Sequence, residues 1–261
     1  MKITQSFMKD MLAYKAKEEC GHLIEHKWIK GKLLPGSEIM RLGTYFEYIS
    51  FDTLPKDGAI PKAEYTSTGK MSADYARAHD NSRVLLDWIK RMGFVVIGKG
   101  KKYERDGYEG TIDLLVQCTK TITFADGYVL KKGTIIVIDV KYSGVLDDSW
   151  SRHGWMWSPI QREYHGIQAK QYHYITELPF FFLVKDSSPK GILNVKFFRV
   201  TINDNEMAKH LDSGRILKDM LILEQKIGFT PYPSVYKCAK CPLKATCKDK
   251  HEFPHPQLIE L

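Results

Sequence analysis

Residues 134–144, TIIVIDVKYSG, constrain the fold more than any other stretch of the chain. Ile135, Ile136, Val137, Ile138 and Val140 are the residue types that favour a buried strand. Such a strand has no obvious place for Asp139 and Lys141. Side chains alternate faces along a strand, so these two share one face and Val140 lies on the other. Burying a lone carboxylate is costly. A carboxylate beside an ammonium, at the strand end before Ser143 and Gly144, reads either as a site or as an ordinary salt bridge at a strand terminus.

The rest of the chain sets that strand in a recognisable order. Residues 3–30 read as helical through Phe7, Leu12, Leu23, Ile24 and Trp28. LLPGSE is a break, and Ser37 is a plausible cap for a helix running to about Phe51. Residues 53–72, rich in Pro, Gly, Lys and Thr, read as a loop. Residues 73–92 read as a helix ended by Gly93. Strands are expected at 94–98, 111–118 and 134–142, with a short pair around TITF and YVL turned by DGYV at 126–129. A Trp-containing loop leads to a helix near 161–177. The strands PFFFLVK and NVKFFRVTI and a helix over 203–227 follow, then a Pro-, Cys- and Lys-rich tail from 230. Helices, a β-meander, a helix, two strands and a helix predict an α/β fold, a central mixed sheet flanked by helices. The expected organisation is a single domain over 1–261. It comprises an N-terminal helical part (1–92), a sheet core (93–200) and a C-terminal helix with a cysteine-rich tail (201–261).

With 261 residues and 43% apolar content, the chain can bury a full core. It has neither a transmembrane-length apolar run nor a signal peptide, so a cytoplasmic protein with no membrane partner is expected. The formal charge of +8 is compatible with a nucleic-acid partner.

Asp139 has a candidate partner. GTIDLLV places Asp113, after Gly110, in a second apolar strand. Two carboxylates from adjacent strands with a lysine form a plausible site for a divalent metal, which takes hard oxygen ligands and can activate water at a phosphate. Lys141 would orient the water or neutralise developing charge. In the following helix, Gln168 and Tyr172 are four residues apart and share a face, from which they could meet a sugar-phosphate backbone or brace Lys141. The plain readings are a strand-end carboxylate capping a turn and a half-exposed helix face.

G-x-x-D at 110–113, D-x-K at 139–141 and Q-x-x-x-Y at 168–172, in this order and context, resemble the PD-(D/E)XK nuclease superfamily. The closer likeness is to its RecB-type branch, which includes nuclease domains of bacterial recombination helicases and CRISPR-adaptation nucleases. The resemblance implies a restriction-endonuclease-like core. It implies that Asp113 and Asp139, with the Val140 carbonyl, hold Mg²⁺ or Mn²⁺, and that Lys141, Gln168 and Tyr172 serve catalysis. Many relatives carry G-x-x-x-H in an early helix. Here GTYFE places Glu47 where that His would stand, and Glu can also ligate these ions.

The cysteines offer an independent line. The tail CAKCPLKATC spaces Cys238, Cys241 and Cys247 as C-x2-C-x5-C. A structural zinc site or a cubane cluster normally needs four thiolates, so the fourth comes from afar. Cys20 is the candidate, and Cys118, ending a core strand, reads as a small buried hydrophobe. This layout resembles the iron–sulfur subset of RecB-like nucleases. There a [4Fe–4S] cluster staples the two chain ends into one subdomain. Structural Zn²⁺ is the alternative.

The resemblance leads to the expectation of a stand-alone metal-dependent deoxyribonuclease, an exonuclease on single-stranded DNA or DNA ends. Its context would be recombination, repair, phage DNA metabolism or CRISPR adaptation, with a homo-oligomer or a recombination or adaptation protein as further partner. The rival reading is a non-catalytic, cysteine-stapled DNA-binding module. Under either, Trp150, Trp155, Trp157 and Tyr164, interleaved with Arg152 and Arg162, suit stacking on bases and contact with phosphate. Lys237, Lys240, Lys244 and Lys248 make the tail basic. HLIEH (His22, Glu25, His26) also fits an inverted zinc-peptidase pattern, though that reading leaves Asp113, Asp139, Lys141 and the tail unexplained.

Overall fold

A computed structural model describes residues 1–32, 36–55, 58–144, 159–191, 193–232, 238–239 and 241–249, with side chains for all of these but 159–164. The chain divides into two compact units. One comprises Met1–Thr4 and Gly36–His210, the other Gln5–Pro35 and Leu211–Leu261.

The first unit is built on a five-stranded sheet of β1 (Phe94–Arg105), β2 (Tyr108–Cys118), β5 (Ile135–Ser143), β6 (Phe180–Asp186) and β7 (Val195–Arg199), in the order β1-β2-β5-β6-β7. It is mixed as expected: β5 and β6 are parallel and the other neighbours antiparallel. Parallel neighbours need a long crossover, supplied by helix α5 (Pro159–Thr176). A separate ribbon of β3 (Ile122–Thr123) and β4 (Val129–Leu130) turns at Asp126 and Gly127.

Strand alternation gives the sheet two faces. Leu114, Val116, Ile136, Ile138, Val140, Phe181 and Leu183 pack under helices α3 (Glu38–Phe51) and α4 (Ala73–Met92) with Tyr45, Phe46, Leu85 and Ile89. The opposite face carries Asp113, Asp139, Phe180 and Phe182, and Tyr172 of α5 meets Phe180 there. Ser37 caps α3 by accepting from the Met40 N–H at 3.3 Å. Gly93 ends α4 at φ 81°, a left-handed conformation in which glycine carries no side-chain penalty.

Strand β1 extends seven residues past the expected end at Gly98, through the polar stretch KGKKYER, because the Asp106–Gly107 turn folds β1 and β2 into one hairpin. Ladder hydrogen bonds join backbones whatever the side chains.

In the second unit the expected continuous helix over 3–30 is broken. Helix α1 (Gln5–Lys15) stops before Lys17, which is left-handed at φ 60°. Helix α2 (Gly21–Ile24) then runs into a π-helical turn, Glu25–Ile29. The break lets Gly21 approach Thr230, whose carbonyl lies where a side chain at position 21 would be. Tyr14 ties this segment to the C-terminal one by donating to Glu224 at 2.8 Å and accepting from the Thr230 N–H at 3.0 Å. Helix α6 (Asp204–Ile227) contains the boundary between the units. Among the described residues, no helix is long and apolar enough to cross a membrane.

Candidate functional site

The structure brings Glu47, Asp113, Asp139, Lys141, Gln168 and Tyr172 together in the first unit. Asp113 on β2 lies beside β5, and its Oδ2 accepts from the Val140 N–H at 2.8 Å. Asp139, wholly buried, has Oδ2 2.5 Å from Lys141 Nζ, while Oδ1 accepts from the Gln168 side-chain amide. Asp139 Oδ2 accepts no well-directed hydrogen bond beyond that ion pair. Gln168 holds Asp139 and the buried Tyr172 phenol feels the charges of Asp113 and Asp139, so the shared helix face of these two points into the acid cluster.

Gly110 has a steric role. A Cβ there would stand 2.7 Å from the Tyr172 ring and 3.0 Å from Ile175, so glycine is what lets α5 close on the hairpin.

The electrostatics follow from crowding three carboxyls around one ammonium. Burial, then the neighbouring Asp139 and Glu47, push the Asp113 carboxyl well above its ordinary value. Burial pushes Glu47 up to about 7, with Lys141 opposing and Asp139 adding. Burial works against the Lys141 charge, but Asp139, Asp113 and Glu47 outweigh it and hold the ammonium above its usual value. Burial, then Asp113 and Asp139, hold the Tyr172 phenol well above its range.

Sequence reasoning missed two supporting residues. Asn81, wholly buried on α4, donates to the Tyr142 hydroxyl at 2.9 Å and to the Asp186 carbonyl at 3.2 Å. Lys185, also wholly buried, donates to the carbonyls of Asp186, Gly191 and Asn194 at 3.1, 2.8 and 3.2 Å. Together they fix the ends of β5 and β6 just past Lys141. The signal for Asn81 was a polar residue on the apolar face of α4, between Ala78 and Leu85.

In the second unit Cys20, Cys238, Cys241 and Cys247 line one cavity of about 30 Å³, with Leu23, Tyr232 and Leu243 among its walls. Burial, and the nearness of Cys20, Cys247 and Cys238, push the Cys241 thiol up. Cys118 is buried in the sheet core, apart from this set. Among the described residues, no three His, Cys, Asp or Glu side chains stand in an arrangement that would hold a single metal ion. In the acid cluster, one oxygen of Asp113 is paired with the Val140 N–H and one oxygen of Asp139 with Lys141.

Of the HLIEH residues, His22 meets Asp249 at 2.6 Å and Glu25 meets Lys30 at 2.9 Å, so both are engaged by partners other than a shared ion. Trp150, Arg152, Trp155 and Trp157 lie outside the described residues, as do Lys237 and Lys240. Arg162 and Tyr164 fall on α5, with side chains outside the description.

No protein-family model matches the chain, and no curated protein matches it in sequence. Among solved structures, a crystal structure of a candidate exonuclease from Eubacterium rectale is similar over 97% of this chain and 90% of its own, with a TM-score of 0.61 at 17% identity. At that identity the likeness is one of fold: the architecture described above is shared with that protein.

Proposed function

We propose that the protein is a metal-dependent deoxyribonuclease of the RecB-like PD-(D/E)XK type, acting on single-stranded DNA or DNA ends. The observation that carries this reading is the Asp113–Asp139–Lys141 constellation on adjacent strands, with Asp139 wholly buried and held by Gln168 from the crossover helix. The fold it shares with a protein named as a candidate exonuclease supports the same reading.

The donor set suits Mg²⁺ or Mn²⁺. Asp113, Asp139 and Glu47 supply hard oxygens, and the crowded carboxyls repel one another, a repulsion that a bound cation would relieve. Those side chains and the Val140 carbonyl would hold the ion, which supplies Lewis acidity at a phosphate oxygen and a more acidic water. Lys141, held charged, positions the attacking water and offsets charge on the phosphate. Gln168 keeps Asp139 in one rotamer. Tyr172 stays a neutral phenol that can donate to a phosphate oxygen.

The four cysteines suit a [4Fe–4S] cluster. They surround one cavity, and the likeness of Cys20 with the C-x2-C-x5-C tail to iron–sulfur nucleases favours the cluster over Zn²⁺. Protein purified without air should carry iron and absorb broadly in the visible. Iron-free, colourless protein would leave zinc or an empty cavity.

The second reading, a DNA-binding module, is favoured by the structural partners that Asp113 and Asp139 already have. One assay separates the two: cleavage of end-labelled single- and double-stranded DNA and closed circles with Mn²⁺, Mg²⁺ or EDTA, comparing wild type with Lys141→Ala. Metal-dependent cleavage that the variant loses, sparing circles, is the expected result. DNA binding without cleavage by intact protein would establish the binding module instead.

A further inference from the structure

The proposed nuclease leaves the HLIEH segment without a role, and the structure gives it a setting. His22, Glu25, His26, Ile29 and Lys30 form one wall of a cavity of about 590 Å³, closed by Gln225, Gly228 and Phe229 and by Leu243, Thr246, Cys247 and Lys248. All these residues belong to the second unit. The volume lies in the range of small-molecule sites, about 300–1,000 Å³.

Two independent features distinguish this wall from ordinary surface. First, the helix changes pitch within it. The Lys30 N–H bonds the Glu25 carbonyl at 3.0 Å, a five-residue π step, across the residues that line the cavity. π-Helical turns are rare and concentrate at functional sites. Second, the basic side chains are unequally paired. Lys30 is paired with Glu25 and His22 with Asp249. His26 and Lys248, from opposite walls, have no ion pair among the described residues. The cavity also carries apolar surface from Ile29, Phe229 and Leu243. A lysine and an imidazole, both able to donate to an anion and without an ion pair among the described residues, flank a partly apolar cleft, which matches a ligand that joins an anion to a flat ring.

We propose that this cavity binds a nucleotide phosphomonoester, with the phosphate between His26 and Lys248 and the base against Phe229 and Ile29. Two sources share that chemistry: a free mononucleotide, or the terminal phosphate and first nucleoside of a DNA strand. The proposal does not depend on the nuclease reading, because it uses neither the acid cluster nor cleavage.

The test is calorimetric titration of full-length Lys141→Ala protein, which protects DNA ligands from cleavage, with dAMP, deoxyadenosine, inorganic phosphate and short oligodeoxynucleotides bearing a 5′-phosphate or 5′-hydroxyl. The same titrations follow on protein that also carries His26→Ala with Lys248→Ala, or Lys248→Glu. Lys248 is exposed, so its replacement leaves the fold intact, which circular dichroism verifies. The expected result is saturable dAMP binding, at least about tenfold weaker for deoxyadenosine and at least about tenfold weaker in both variants. Competition by the 5′-phosphorylated strand alone would identify a strand end as the source. Failure of both strands to compete would identify the free mononucleotide. Equal binding of dAMP and deoxyadenosine, absence of dAMP binding, or unchanged binding in both variants would overturn the proposal.

Discussion

Gly110→Ala tests how the crossover helix is seated over the acid cluster. The added Cβ would lie 2.7 and 3.1 Å from Cε1 and Cδ1 of Tyr172 and 3.0 Å from Cδ1 of Ile175. Favourable carbon contacts lie at about 3.5–4.0 Å, so the helix must retreat by up to about 1 Å. Tyr172 is only 4% exposed and Ile175 6%, so neither ring nor methyl has an open side to swing into. Overpacking of this kind costs about 1–3 kcal/mol. Against it stands a gain of about 0.5–1 kcal/mol, because alanine in a strand loses less backbone entropy than glycine, and Gly110 does not have the positive φ that would forbid a side chain. The net expectation is a loss of about 0.5–2 kcal/mol. It is read as a lower urea midpoint at unchanged m-value. The ring carries most of the clash: in a Tyr172→Ala background only the Ile175 methyl at 3.0 Å remains, and it has the vacated ring space to move into, so Gly110→Ala should cost clearly less or nothing. If Gly110→Ala costs the same in both backgrounds, or nothing in either, the steric argument is wrong.

Three further outcomes are expected. His210 is buried and donates to Gln171 Oε1, whose amide nitrogen is committed to the Ile3 and Glu109 carbonyls. Burial, then Lys170, lowers its pKa to about 4, below the value of about 6.5 it regains on unfolding. The unfolded chain therefore binds the extra proton, so the stabilisation is full above pH ~6.5 and is lost as pH falls toward ~4. Urea titrations at pH 7 and 5 should show wild type losing about 2 kcal/mol more than His210→Gln. Lys185→Met should cost about 3 kcal/mol or more by stranding three carbonyls, and a loss under about 1 kcal/mol would mean that water replaces the ammonium. Mn²⁺ should raise the melting temperature of wild type and leave that of Asp113→Asn nearly unchanged, a readout independent of cleavage.

How far the sequence could be read depended on whether local chemistry or distant packing set each feature. The cap at Ser37, the stop at Gly93 and the apolar strands are local, and each lies where patterning puts it. The sharing of a face by Asp139 and Lys141, and by Gln168 and Tyr172, follows from strand and helix periods alone. Glu47 joins them only because α3 reaches the end of β5, where Phe46 stacks on Tyr142 at 4.1 Å, and no local rule gives that. The long β1–β2 hairpin was legible in principle: Asp-Gly at 106–107 is a strong two-residue turn signal, but the polar residues around it conceal the strand period. The break after α1 is set by Gly21 meeting Thr230, more than two hundred positions away, which no window on the sequence contains.

The composition of the second unit has a consequence for how the chain is made. Gln5–Pro35 leaves the ribosome well before the segment it packs with, which begins at Leu211. At about 5–20 residues per second, the 175 intervening residues impose a delay of roughly 10–35 s. During that interval Phe7, Met8, Met11 and Ile24, buried in the finished protein, lack part of their packing and are open to a chaperone. Cys20 likewise waits for Cys238, Cys241 and Cys247. The four-thiol cavity therefore closes only after the sheet has been synthesised, and whatever fills it enters a chain whose sheet strands are already made.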